Sequence, residues 1–382
     1  MLTIGVFGTS SKQHEKRVPI HPDHLDWIEP EVRANLFFEA GYGQRFGIDD
    51  QVIAEKTGGV FPRKSLFQQC DVTLLPKPAQ ADFEAMKDHS IHWGWPHCVQ
   101  QERITQTAID RKLTLIAWEA MHRWAPNGDW QMHIFHKNNE IAGYAGVMHA
   151  LNLMGIDGNY GPQRKAAVIS FGSVSRGAIY GLRARGFTDI TVYTQRYATL
   201  VADQILGIDY RHYEEGENGH LMAVHPDGTI LPFSEELASC AIIVNGVLQD
   251  TDHPLMFVEE DQIDQLQKET LIIDISCDEG LGFSFAKPTT FDQPVIQVGH
   301  VHYYAVDHTP SLLWNSTSWE ISNSLLPYLP IIMGGPDRWQ ESETVMRAIE
   351  IRDGVVQNPK ILSFQNRAEG YPHGVRKASR AS

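Results

Sequence analysis

Near the middle of the chain, Ala166 to Arg196 read AAVISFGSVSRGAIYGLRARGFTDITVYTQR. An apolar run ends in a glycine-containing turn, a helix-like segment follows, and a second apolar run closes the stretch. A strand, turn, helix and strand in this order presents backbone N–H groups at a helix N-terminus, where a dinucleotide pyrophosphate is held. The central location of this unit means that most of what precedes it forms another domain. At 382 residues the chain is long enough for two cores.

The usual fingerprint of such a turn is G-x-G-x-x-G. Here Gly172, Ser173, Val174, Ser175, Arg176 and Gly177 follow the first strand, with Val174 in place of the middle glycine. A second register puts Ser170 first and Gly172 second. Both registers leave Gly172 as the residue of close approach, and Gly172, Ser173, Val174 and Gly177 are the expected cofactor contacts. The second strand ends VYTQR, without the Asp or Glu that accepts the ribose 2′-hydroxyl of NAD. Arg196 instead suits a charge-assisted pair with a 2′-phosphate. The expected cofactor is therefore NADP(H), with NAD(H) as the alternative.

Upstream, short apolar runs alternate with helix-like segments. Leu2–Phe7, Cys70–Pro76, Ser90–Trp95 and Leu113–Trp118 read as strands, HPDHLDWIEPEVRANL as a helix, and LFFEAGYG as the start of another strand. Such alternation predicts a parallel sheet covered on both faces, with ligands at the carboxyl ends of its strands. Lys77, His97 and Glu119 fall at those ends. A long helix is expected from Asn138. The predicted class is α/β, with two doubly wound parallel-sheet domains: a central Rossmann domain over 141–304 and a discontinuous substrate domain over 1–140 and 305–350. Residues 351–382 are polar, with few periodic signals, and read as a partly disordered tail.

The net charge of −15 disfavours a phosphate-backbone partner, so no nucleic acid is expected. Cys70, Cys98, Cys240 and Cys277 are scattered, without disulfide or zinc spacing, and no metal site is expected. No apolar stretch approaches the roughly 20 residues needed to span a bilayer, and the N-terminus enters a strand directly, so a cytoplasmic protein without a membrane partner is expected.

The stretches KRVPIHPDHL, LLPKP, GWPHC, IAGYAGVMHAL, LIIDISCDEG and VDHTPSLL, in this order over about residues 1–330, resemble the superfamily of alanine dehydrogenase, the transhydrogenase nucleotide-binding subunit and lysine-forming saccharopine dehydrogenase. Within it the chain looks most like the N5-(carboxyethyl)ornithine synthases, while DHTPSLL is more like saccharopine dehydrogenase. The resemblance implies reductive condensation of a 2-oxo acid such as pyruvate with an amino-acid amine, in a homo-oligomer. Alanine dehydrogenase and saccharopine-type chemistry with lysine and 2-oxoglutarate are the enzymatic alternatives, and a non-catalytic cofactor-binding module the third.

Reductive amination needs a cation for the carboxylate, a donor to the carbonyl and an acid/base group near the developing amine. By resemblance these are Arg17 for the carboxylate, Lys77 at the carbonyl or imine, His97 as the catalytic histidine and Asp278 beside nicotinamide and substrate. Glu119 matches a substrate-binding or supporting carboxylate. His308 stands where alanine dehydrogenase carries asparagine, which leaves the amine partner open. Asp274 competes with Asp278 for the aspartate role, since it is equally suited to cap the following turn.

Overall fold

The computed structural model describes residues 1–217, 219–250 and 253–376. The chain divides into two compact units, Met1–His136 together with the segment from Trp314 onward, and Lys137–Leu313.

In the first unit the apolar runs become β1 (Ile4–Val6), β2 (Leu36–Glu39), β3 (Gly59–Phe61), β4 (Val72–Leu74), β5 (Ile91–Gly94) and β6 (Thr114–Ala117). They pair in parallel in the order β3-β2-β1-β4-β5-β6. Every residue of β1, β4, β5 and β6 is buried, which is why these strands read as unbroken apolar runs. The strand order reverses between β1 and β4, and Lys77 lies just beyond that point. Residues 21–36 do not form the expected helix. Pro30 lacks an N–H and biases Glu29 towards extended backbone, so the segment breaks into a 3-10 turn, Pro22–Trp27, and one helical turn, Pro30–Arg33. After β6 comes an antiparallel hairpin, β7 (His122–Trp124) and β8 (Trp130–His133).

The second unit opens with helix α1 (His136–Met154), whose first residue still belongs to the first unit. Its strands are β9 (Ala166–Ile169), β10 (Ile190–Thr194), β11 (Asp209–Glu215), β12 (Leu221–Val224), β13 (Ile230–Pro232), β14 (Ile242–Asn245), β15 (Met256–Val258), β16 (Leu271–Asp274), β17 (Gly282–Phe283), β18 (Val295–Val298) and β19 (Val301–Tyr304). The main sheet runs β13-β12-β11-β10-β9-β14-β16-β19-β18, and β15 pairs with β17 separately. Its inner strands, β11 to β19, are parallel and repeat the strand order of the first unit. The sheet is not wholly parallel as expected: β12, β13 and β18 are antiparallel additions at its edges. Short turns with left-handed Gly219, Gly228 and Gly299 permit these returns, whereas a parallel neighbour needs a long crossover.

Helix α2 (Ser173–Ala184) follows β9 and crosses α1 at backbone contact. A Cβ added at Gly177 would stand 1.7 Å from the Glu140 carbonyl oxygen, and one at Gly143 would stand 1.9 Å from that of Val174. Only hydrogen at these two positions lets the helices meet.

Helix α3 (Trp314–Leu325) returns the chain to the first unit. The tail reading is overturned as far as Arg376. There β20 (Ile349–Arg352) joins β6 antiparallel, β21 (Val355–Val356) pairs with β20, and a capped helix spans Pro359–Phe364. Arg367, 2% exposed, anchors the end by donating to the side chains of Gln365 and Gln106 and to the His373 carbonyl. Strands this short leave no periodicity to read. The last part of the expected tail, 377–382, lies outside the described residues.

Among the described residues no helix is long and apolar enough to cross a membrane, and no group of three or more His, Cys, Asp or Glu gathers as around a metal ion.

Candidate active site

The strand ends of the first unit bring Lys77, His97 and Glu119 together. Lys77 Nζ lies 2.8 Å from His97 Nε2. That distance fits one proton between the two nitrogens, since two cations in line would repel. The backbone N–H of His97 donates to Glu119 Oε1 at 2.8 Å, and His97 Nδ1 is 3.8 Å from the same oxygen. His97 adopts a left-handed φ of 50°, a strained conformation for a side chain of its size, and this turns the ring from the end of β5 towards Lys77. Ser10 Oγ in the loop after β1 donates to the Lys77 carbonyl at 2.6 Å and fixes the base of the lysine.

Burial pushes the Glu119 carboxyl up to about 8, and the nearby Glu350 carboxylate on β20 adds to the effect, against Lys77 and the His97 N–H. Glu119 Oε2 is buried with no hydrogen-bond partner among the described residues. The side chain as a whole is 30% exposed, so the acid is held dry at one oxygen and reachable at its other side. At neutral pH it is largely the neutral acid, able to give a proton as well as accept one.

Arg17 does not stand alone. It is 4% exposed, and Nε donates to Glu15 Oε1 at 2.9 Å while Nη2 reaches Glu15 Oε2. Its guanidinium lies 5.1 Å from the Trp95 ring centre and Lys77 Nζ 5.5 Å, so one indole underlies both cations. Trp93 and Trp118 are fully buried beside it and belong to the core. Sequence reasoning missed Glu15, although it stands two residues before Arg17, and read Trp95 only as one of several tryptophans around the motifs, suited to a pocket wall or to the core.

In the second unit the turn after β9 resolves the two registers. Ser170 has φ 83°, the conformation a fingerprint's first glycine supplies, Gly172 is the helix N-cap, and Ser175 is buried with Oγ donating to the Ile169 carbonyl at 3.2 Å. The pattern is therefore Ser170, Gly172, Ser175. Ser173 and Val174 open α2 at this turn. Gly177, expected at the cofactor, instead permits the contact with α1. Among the described residues a Cβ added at Gly172 would meet only Ser170 Oγ, at 3.9 Å. The protein leaves that space open at a helix N-terminus with no side-chain cap, which fits a pyrophosphate.

Arg196 follows β10, is exposed, and has no ion pair among the described residues. Its backbone N–H donates to Thr194 Oγ1 at 3.3 Å. At the end of β16, Asp274 is fully buried and accepts from Asn245 Nδ2, Tyr303 Oη and the backbone N–H groups of Ser276 and Cys277. It is the turn's cap. Asp278 beyond it is partly exposed, its carboxyl raised by burial and then by Asp307. His308, with φ 51°, places Nδ1 3.6 Å from Asp307 and its ring edge-on to Phe291.

An open helix N-terminus after β9 in one unit and the Lys77, His97 and Glu119 cluster at the strand ends of the other fit a nicotinamide-dependent oxidoreductase. The chain belongs to the alanine dehydrogenase/PNT family, matching its N-terminal domain over residues 9–142 and its C-terminal domain over 227–359. It is similar to N(5)-(carboxyethyl)ornithine synthase of Clostridium botulinum (strain Hall / ATCC 3502 / NCTC 13319 / Type A), 25% identical across 81% of this chain and 89% of that protein. Alanine dehydrogenase of Methanococcus maripaludis is 23% identical across 94% of this chain and 91% of its own length. Among solved structures an L-alanine dehydrogenase aligns with a TM-score of 0.74 at 18% identity, covering 95% of this chain and 99% of that one. At that identity the likeness shows the fold.

Proposed function

We propose that the protein joins a 2-oxo acid such as pyruvate to the amine of an amino acid and reduces the product with NADPH. The amine loses two hydrogens, the carbonyl oxygen leaves as water, and the resulting C=N bond takes hydride at carbon and a proton at nitrogen. The observation that carries this reading is the 2.8 Å contact of Lys77 with His97 beside a raised Glu119. Lys77 donates to the carbonyl oxygen as water forms, His97 accepts and returns the proton along that contact, and Glu119 restores it. Arg17, held by Glu15, binds the oxo-acid carboxylate. Asp278 takes the positive charge of the amine, and His308 borders the amine's side chain. Gly172 with the first turn of α2 would hold the cofactor's pyrophosphate, and Arg196 its 2′-phosphate. Bound there, the nicotinamide supplies hydride.

Similarity to the ornithine enzymes supports an amino-acid amine over ammonia. The Asp307–His308 pair favours a second reading, lysine with 2-oxoglutarate. A cytoplasmic homo-oligomer with small-molecule substrates completes the proposal. The test is oxidation of NADPH by the purified protein with each oxo acid and amine in turn, with Arg196→Gln expected to erase a preference for NADPH over NADH.

A further inference from the structure

The loop at 195–208, between β10 and β11, is tied to the dinucleotide turn by a residue that none of the roles above uses. Arg176, in the first turns of α2, donates from Nη1 to the Asp203 carbonyl at 3.0 Å and from Nη2 to the Ala202 carbonyl at 3.3 Å. Asp203 is left-handed, φ 51°, and presents its carbonyl to that fork. The same guanidinium lies 4.1 Å from the ring centre of Phe171, the residue between Ser170 and Gly172. Phe171 meets Tyr210 edge-on at 5.0 Å, and Tyr210 Oη accepts from the Ile205 N–H at 2.8 Å. At its near end the loop is held by Tyr197 stacked on His212 at 4.2 Å and by Gln204 Nε2 donating to the Ala198 carbonyl at 2.6 Å. Arg196 therefore projects from a segment whose far side is gripped by the helix that cradles pyrophosphate.

We propose that Arg176 is a positioning residue for 2′-phosphate recognition. Its planar fork fixes the loop that presents Arg196 relative to the Ser170–Gly172 turn, so that the two phosphate-binding points keep a set spacing. A guanidinium satisfies two adjacent carbonyls at once, whereas a lysine ammonium keeps the charge without the fork. This inference rests on the reading of Arg196 as the 2′-phosphate ligand.

The test uses the full-length protein and two probes that differ only in the 2′-phosphate, 2′,5′-ADP and 5′-AMP, titrated by calorimetry. Wild type should favour 2′,5′-ADP, and Arg196→Gln should lower the ratio of affinities by about tenfold or more. Arg176→Gln and Arg176→Lys should each lower it by about fivefold to tenfold with 5′-AMP affinity kept within about twofold. Arg176→Lys with the wild-type ratio would overturn the proposal, because charge rather than the fork would then suffice. Equal weakening of both probes would overturn it too, since the loss would be general. Indifference of wild type and Arg196→Gln to the 2′-phosphate would instead refute the reading of Arg196.

Discussion

Two glycines of the dinucleotide segment should respond in opposite ways to the same added methyl group. At Gly177 the new Cβ would sit 1.7 Å from the Glu140 carbonyl oxygen and 2.6 Å from its carbon, both rigid backbone. The helices α1 and α2 must part by roughly 1.5 Å to restore ordinary contact. Overpacking of this kind costs about 3 kcal/mol, which for a unit of this size lowers the melting temperature by roughly 6–12 °C. At Gly172 the backbone is already extended (φ −79°, ψ −173°), and among the described residues the Cβ meets only Ser170 Oγ at 3.9 Å. Losing a glycine N-cap and restricting the unfolded chain offset each other, so stability should stay within about 1 kcal/mol of wild type. The methyl group would, however, occupy the space assigned to pyrophosphate, and NADPH affinity should fall by about tenfold or more. Scanning fluorimetry paired with NADPH fluorescence titration reads both effects. A Gly172→Ala protein that binds NADPH like wild type, or melts as early as Gly177→Ala, would refute the reasoning.

Other expectations follow from the remaining site residues. His97→Ala should lower kcat by about a hundredfold with NADPH affinity unchanged, and steady-state kinetics with a binding titration check this. Asp274→Asn replaces an acceptor of two side-chain donors with an amide that cannot accept both, and should cost about 2 kcal/mol in denaturant unfolding. Asp278→Asn should leave that stability within about 0.5 kcal/mol yet remove turnover. Because Glu119 is raised from 4.5 to about 8, the folded protein binds the extra proton between those values. Its contribution therefore favours folding below the lower value and is lost as pH rises through the higher one. Stability of Glu119→Gln minus wild type should climb across that window, and a flat difference would contradict the assignment.

Much of this was open to view in the sequence because it rests on local signals. Runs buried on both faces announced β1, β4, β5 and β6, and placing Lys77, His97 and Glu119 at strand ends followed from chain order alone. What escaped depends on three-dimensional packing. Gly177 lies at the last glycine of one register, and only the crossing of α1 shows that it serves helix contact. Ser170 is left-handed without being glycine, so residue type hid the true register. The C-terminal strands have four and two residues; β20 is stabilised by pairing with β6 and β21 by pairing with β20, which no periodicity reveals. Glu350 reaches Glu119 from one of them, and its influence on the site was invisible for the same reason. Arg17 was singled out as a cation, whereas its neutralisation by Glu15 depends on side-chain geometry.

The measurement closest to the central claim is oxidation of reduced cofactor followed by absorbance, with pyruvate or 2-oxoglutarate against ornithine, lysine or ammonia, using NADPH and NADH separately. The account predicts turnover with NADPH, pyruvate and a diamino acid, lowered about a hundredfold by His97→Ala. Turnover confined to NADH, pyruvate and ammonia would contradict it, and would assign alanine dehydrogenation to the same array of Lys77, His97 and Glu119.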